Sequence, residues 1–210
     1  ASLDEVLNEA ELFYAIYEMP ARFQVSPVVY PSDLDIVLAL RGYQRSAATA
    51  VQMTSINTLL DETGRRLPES SFNVDVSEKF SEPWFQTYNA IEQFGSRAAT
   101  VRRDIIQRIR VRTGYALVRH QTANGDEPVA VGLGVLDGSW LGISCMATHE
   151  HMRRRGAATI VLNALAGWAQ EYGALNVYLQ VLLINAAALP LYNRSGFSTL
   201  YHYHYREKQL

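Results

Sequence analysis

The 210 residues are 48% apolar and 19% charged, enough to bury one large core or two small ones. A formal net charge of −2 excludes the broad basic field on which non-specific nucleic-acid binding depends. No apolar run approaches the roughly 20 residues of a membrane span, and the lone Cys145 leaves no internal disulfide and suits a reducing cytoplasm.

Leu3, Val6, Leu7, Ala10, Phe13 and Tyr14 recur at helical spacing, which predicts a helix over 3–17. A short extended run at 22–25 follows, and then Pro31-Ser32-Asp33 reads as a capped helix start leading to Gly42. Residues 44–54 read as extended. From Asp61 to Ser71 periodicity gives way to Gly, Arg, Pro, Glu and Ser, the composition of a linker.

Beyond that stretch Phe72, Val74 and Val76 alternate with polar residues as in a half-buried strand. Ser81 can cap a helix over 82–94, and a second helix covers 97–110. Strands at 115–120, 128–136 and 139–147 are separated by Asn124-Gly125 and Asp137-Gly138, both suited to tight hairpin turns. A long helix starts near Arg154, with Ala158, Val161, Leu162, Leu165 and Ala169 on one face and Gly173 as its C-terminal cap. A strand at 177–181, a short helix at 186–194 and a strand at 197–205 complete the chain. This order, β-α-α-β-β-β-α-β-α-β, predicts an α/β fold with a mixed sheet flanked by helices.

There is also an internal echo. Phe23-Gln24-Val25, a helix, Arg41-Gly42-Tyr43 and a strand parallel Leu179-Gln180-Val181, a helix, Ser195-Gly196-Phe197 and a strand. The expected organisation is therefore a degenerate partial copy at 1–60, a linker at 61–71 and a complete domain at 72–210.

Two segments carry chemistry. At 146–159 a strand ends, a polar turn follows, and a helix opens with Arg153, Arg154, Arg155, Gly156, Ala157 and Ala158. A helix N-terminus offers unpaired N–H groups and the positive end of its dipole, which suits a phosphate or pyrophosphate. Small residues let such a ligand approach the backbone; a solvated basic helix start is the plainer reading. Downstream, Asn185 reads as the cap of the short helix, and Tyr192 carries a hydroxyl able to donate a proton. An ordinary cap and a half-buried aromatic are the alternatives there.

Together the two segments resemble the GNAT superfamily of acetyltransferases. Its Arg/Gln-x-x-Gly-x-Gly/Ala hallmark is matched by Arg153, Gly156 and Ala158. Its downstream Asn-x-x-Ala-x-x-Leu-Tyr-x-x-x-Gly-Phe is matched by Asn185, Ala188, Leu191, Tyr192, Gly196 and Phe197. The N-terminal echo further resembles tandem-GNAT proteins in which one copy has decayed.

The resemblance implies an acetyl-CoA-dependent N-acetyltransferase with coenzyme A as cosubstrate and no metal. The acceptor would be a small-molecule or peptide amine rather than nucleic acid or membrane, and the protein a cytoplasmic monomer or homodimer. By the family pattern, backbone groups of Met146, Ala147 and Thr148 hold the pantetheine arm, and N–H groups from Arg154 to Thr159 cradle the pyrophosphate. Asn185 contacts the pantetheine, and Tyr192 protonates the departing thiolate. One departure matters: where many members carry a Glu as general base this chain has Gln180, whose amide cannot take a proton near neutral pH. Glu150, His149 and His151 are possible substitutes, and a non-catalytic acyl-CoA-binding module is the alternative function.

Other features receive plainer readings. His149, His151, His202 and His204 lack the partners of a metal site, and 201–205 alternates an aromatic inner with a polar outer face. Arg102, Arg103, Arg108, Arg110 and Arg112 read as a solvated helix face, and Cys145 as a small core residue. Trp84, Phe85 and Tyr88 suit either an acceptor wall or the core.

Overall fold

The computed structural model describes residues 2–68, 71–123 and 125–209. In chain order the elements are α1 (Leu3–Ile16), β1 (Ala21–Val25), α2 (Leu34–Leu40), β2 (Gln44–Ser55), α3 (Ile56–Gly64), β3 (Phe72–Ser77), α4 (Glu82–Glu92) and α5 (Ser96–Gln107). There follow β4 (Arg112–Thr122), β5 (Gly125–Asp137), β6 (Trp140–Thr148), α6 (Ala157–Glu171), β7 (Asn176–Leu182), α7 (Ala188–Arg194) and β8 (Ser198–Lys208). The chain divides into two compact units. The first is Ala1–Val51, Val181–Ala186 and Thr199–Leu210, and the second is Gln52–Gln180 and Ala187–Ser198. β2, β7 and β8 each contribute residues to both.

In the second unit the strands run β7-β6-β5-β4-β3. β3, β4, β5 and β6 pair antiparallel, and β6 pairs parallel with β7, so the sheet is mixed as the sequence predicts. α4 buries Trp84, Phe85 and Tyr88 against Tyr115, Leu117, Val131 and Leu133, and Ser81 caps it by accepting from the Trp84 N–H. The Trp84 indole N–H lies 3.0 and 3.1 Å from the Ala116 and Gly132 carbonyls, which satisfies the one polar atom of a fully buried ring. These three aromatics are thus core. α6 covers the other face, lying so close that a Cβ at Gly132 would collide with Val161.

The first unit holds α1, β1 and α2, with β8 between β1 and β2 and antiparallel to β1. Ser2 and Glu5 form a capping box at the start of α1. Leu7, Ala21, Val25, Leu34, Leu38 and Tyr43 make its core.

Several local expectations are corrected. Asp33 occupies the cap position of α2 but its side chain makes no capping hydrogen bond. The stretch expected as a linker opens inside α3, which continues to Gly64; Glu69 and Ser70 lie outside the described residues, as does Asn124 of the expected hairpin turn. α3 forms because Ser55 accepts from the Thr58 N–H and because Ile56, Leu59 and Thr63 are buried at helical spacing. The last strand does not present a polar outer face throughout, because His204 is buried, its Nε2 2.8 Å from Asp35. Arg110 and Arg112 lie beyond α5, and Arg103 binds Glu82 through two contacts of 2.8 and 2.7 Å rather than facing open solvent.

Candidate functional site

β6 and β7 part company midway. Their parallel ladder runs from Trp140 opposite Asn176 to Ile143 opposite Leu179, yet β6 continues to Thr148. On the other edge of β6, between Leu133–Ser144 and Val131–Ala147, β5 advances two residues while β6 advances three. That extra residue is a bulge, and Cys145 takes a left-handed φ of 51° within it. The bulge bends β6 where its ladder to β7 stops. Backbone groups of Met146, Ala147 and Thr148 therefore line the splayed end of the strand pair.

From Thr148 the chain enters a loop that is anchored at both ends. The His149 N–H donates to the Val129 carbonyl at 2.9 Å, and a 3-10 turn at Glu150–Met152 buries Met152. The arginines precede the helix instead of opening it: Arg153 is extended, and α6 begins at Ala157 with Gly156 in the cap position. Arg154 has φ 62° and Gly156 has φ 90°. Left-handed residues in a turn curve successive N–H groups into a concavity that accepts anions. A non-glycine in that region costs about 1–2 kcal/mol, strain of the kind concentrated at functional sites. No side chain caps α6, whose first return bond runs from the Ile160 N–H to the Gly156 carbonyl at 3.0 Å. The N–H groups of Ala157, Ala158 and Thr159 lie ahead of that bond at the positive end of the helix dipole. Arg154 and Arg155 are exposed, and among the described residues neither has an acidic partner within 4.0 Å; Arg153 lies 3.9 Å from Glu150.

Tyr192 sits on α7, 7% exposed, its ring edge-on to Phe197 with centroids 5.8 Å apart. Burial pushes its hydroxyl up to about 12, so it is protonated at neutral pH. α7 starts at Ala188, with Ala187 rather than Asn185 in the cap position. Asn185 is exposed and belongs to the first unit, where its N–H donates to the Leu182 carbonyl at 2.9 Å. Its expected ligand contact rests on the motif. Gln180 is exposed and directly follows Leu179, the last residue of the ladder.

Of the substitute bases, His151 lies 3.4 Å from Glu127 and stacks obliquely near His149, their ring centroids 5.5 Å apart. Burial raises the Cys145 thiol above its ordinary value, and the side chain packs with the α4 core, which makes it a poor nucleophile. Among the described residues no three His, Cys, Asp or Glu side chains are grouped to hold a metal, and no helix is long and apolar enough to cross a membrane.

The model of the acetyltransferase (GNAT) family matches residues 74–197. The chain belongs to the GNAT family. Acyl transfer is the chemistry of that family, and acetyl-CoA is its usual donor. Over 205 residues this GNAT chain is 30% identical to the uncharacterised N-acetyltransferase YobR of Bacillus subtilis (strain 168), covering 96% of this chain and 78% of the relative. Among solved structures it is similar to a tandem GNAT protein from the clavulanic acid biosynthesis pathway, with TM-score 0.77 at 12% identity over 98% of this chain and 69% of the other. A GCN5-related N-acetyltransferase from Kribbella flavida gives 0.70 at 18% identity, over 96% and 73%. These structural likenesses concern the fold.

The geometry also fits coenzyme A. The uncapped start of α6 leaves N–H groups for an anion, and the end of β6 beyond its ladder to β7 offers main-chain partners for an amide-bearing arm. Sequence reasoning missed Pro68, which packs against Gly156; the only signal was its place in a stretch read as linker.

Proposed function

We propose that this GNAT protein moves an acetyl group from acetyl-CoA to a primary amine by direct attack in a ternary complex. The observation that carries the reading is the end of the β6–β7 ladder at Ile143–Leu179, within one short loop of the uncapped α6. Acetyl-CoA supplies an activated thioester. The N–H groups from Arg154 to Thr159 bind pyrophosphate oxygens, with the exposed arginines adding charge. Main-chain groups of Met146–Thr148 hold the pantetheine arm, and one N–H polarises the thioester carbonyl, a contact worth roughly 3 kcal/mol in comparable sites. Tyr192, protonated at neutral pH, gives its proton to the departing sulfur, and the proton lost by the attacking amine returns through water to the Tyr192 oxygen. In this reading residues 72–210 are the complete copy and 1–60 the decayed one, and the protein works in the cytoplasm as a monomer or homodimer.

The test is calorimetric titration with acetyl-CoA, followed by thiol release across an amine panel. Gly156→Asp puts a carboxylate in the anion site at a position already demanding positive φ, and we expect affinity to fall roughly a hundredfold. Wild-type protein that binds no acetyl-CoA sinks the reading. Gln180 favours a second one, a non-catalytic acyl-CoA-binding module, since its amide takes no proton at neutral pH. Thiol release with any amine decides against that alternative.

A further inference from the structure

The stretch between Ile56 and Pro68 runs antiparallel along the whole of α6. Near the C-terminal end of that helix, Gln170 Nε2 donates to Asn57 Oδ1 at 3.0 Å. Midway, Asn163 Nδ2 donates to Thr63 Oγ1 at 2.9 Å, and the fully buried Thr63 hydroxyl in turn donates a hydrogen bond to the Leu59 carbonyl at 2.6 Å. At the N-terminal end Pro68 covers Gly156, where a Cβ would stand 2.9 Å from both Cδ and Cγ of the proline ring. Three contacts in one register, at opposite ends and the middle of α6, do not describe a slack connection.

α3 also meets the turn after α7. A Cβ at Gly196 would come 2.6 Å from Thr58 Cγ2 and 3.6 Å from Glu62 Cγ. Gly196 follows Tyr192 by four residues, and its φ is 86°. α3 and its tail to Pro68 thus meet two left-handed glycine turns of the second unit, α3 itself the one that closes α7 and Pro68 the one that opens α6.

We propose that α3 with its tail to Pro68 is a positioning brace for the coenzyme site, Pro68 holding the Gly156 turn in the conformation that presents the α6 N–H groups to the pyrophosphate. The physical argument is one of entropy and sterics. A glycine cap is free to leave the left-handed region when unbound, and each excursion disperses the N–H groups that must converge on the ligand. A rigid pyrrolidine ring packed on its Cα face removes much of that freedom before the ligand arrives. Pro68 itself touches no reacting atom; it acts through Gly156.

The inference rests on Arg154–Thr159 being the pyrophosphate site, and its test separates the two. Calorimetry compares coenzyme A with pantetheine, which lacks the pyrophosphate, on wild type, Pro68→Gly and Pro68→Ala, alongside each melting temperature. We expect Pro68→Gly to weaken coenzyme A binding about tenfold while pantetheine affinity holds within twofold. Pro68→Ala, which removes ring carbons but restricts the backbone more than glycine, should fall between and serves if the glycine variant does not fold. Equal loss for both ligands would make Pro68 a general structural residue and overturn the proposal. So would unchanged coenzyme A affinity in both variants. Wild type that fails to bind coenzyme A would instead remove the function reading, and this inference with it.

Discussion

The turn after α2 and the turn after α7 are built to one plan. In the first, the N–H groups of Arg41, Gly42 and Tyr43 donate to the carbonyls of Val37, Ala39 and Leu38 at 3.0 Å each. In the second, Ser195, Gly196 and Phe197 donate to Leu191, Asn193 and Tyr192 at 3.0, 3.1 and 3.0 Å. Both helices have seven residues, both glycines are left-handed at φ 87° and 86°, and an aromatic follows each. The side chains do not follow the backbone. Tyr192 on α7 corresponds to Leu38 on α2, which is fully buried. A β-α-β turn of this kind preserves its hydrogen bonds because its own packing needs them, whereas one side chain decides whether it holds a hydroxyl or only fills space.

The sharpest way to break that contrast is Tyr192→Phe. It removes one oxygen and leaves the edge contact with Phe197 in place, so the fold should be unaffected. If Tyr192 is the proton donor, kcat falls roughly a hundredfold at saturating acetyl-CoA while KM stays within twofold. If steady-state rates are unchanged, Tyr192 is a packing residue like Leu38, and the two turns differ in nothing that matters for chemistry.

The glycines separate next. Gly42→Ala places its Cβ in open space, with nothing within 4 Å, so only left-handed strain remains, about 1–2 kcal/mol. Gly196→Ala adds the collision with Thr58 Cγ2 at 2.6 Å, a further 1–3 kcal/mol or so. Urea denaturation of the two variants should rank them in that order. Equal losses would mean that α3 yields to the added methyl and does not brace the α7 turn.

Much of this was legible beforehand, because the second unit is dominated by periodic segments and short turns. The long run of Ala158, Val161, Leu162, Leu165 and Ala169 announces α6, and alternation announces the meander. α3 was not legible. Its buried face is only Ile56, Leu59 and Thr63, and the Gly64-Arg65-Arg66-Leu67-Pro68 tail that follows carries the composition of a loop. The Ser55 cap was a signal in reach; the contacts that make the helix worthwhile, to Asn163 and Gln170, lie more than 95 residues away. Likewise α6 starts three residues later than the sequence predicts, since the arginines suit a helix by propensity, and the left-handed Arg154 and Gly156 reveal the turn that precedes it. At the start of α6 the structure adds Pro68, packed against Gly156, to the residues that the motif names.

A last difference between the two turns lies in charge. By the register of their hydrogen bonds, Asp35 on α2 corresponds to Leu189 on α7. Asp35 Oδ1 meets Arg206 Nε at 2.7 Å and His204 Nε2 at 2.8 Å, tying the end of β8 to α2 within the first unit. The Arg206 hydrogen bond, helped by His204 against the opposing effect of burial, lowers the Asp35 carboxyl from 3.8 to about 2. A depressed carboxylate contributes stability that is complete above its unfolded value and lost as pH falls toward its folded one. The first unit should therefore weaken between about pH 4 and pH 2. Since the Asp35 side chain is 36% exposed, solvent screening holds the effect to about 1 kcal/mol or less. Denaturant midpoints at pH 6, 4 and 3 should fall more steeply for wild type than for Asp35→Asn, which has no carboxyl to titrate at that position. Parallel curves would show that β8 is held to α2 by packing alone.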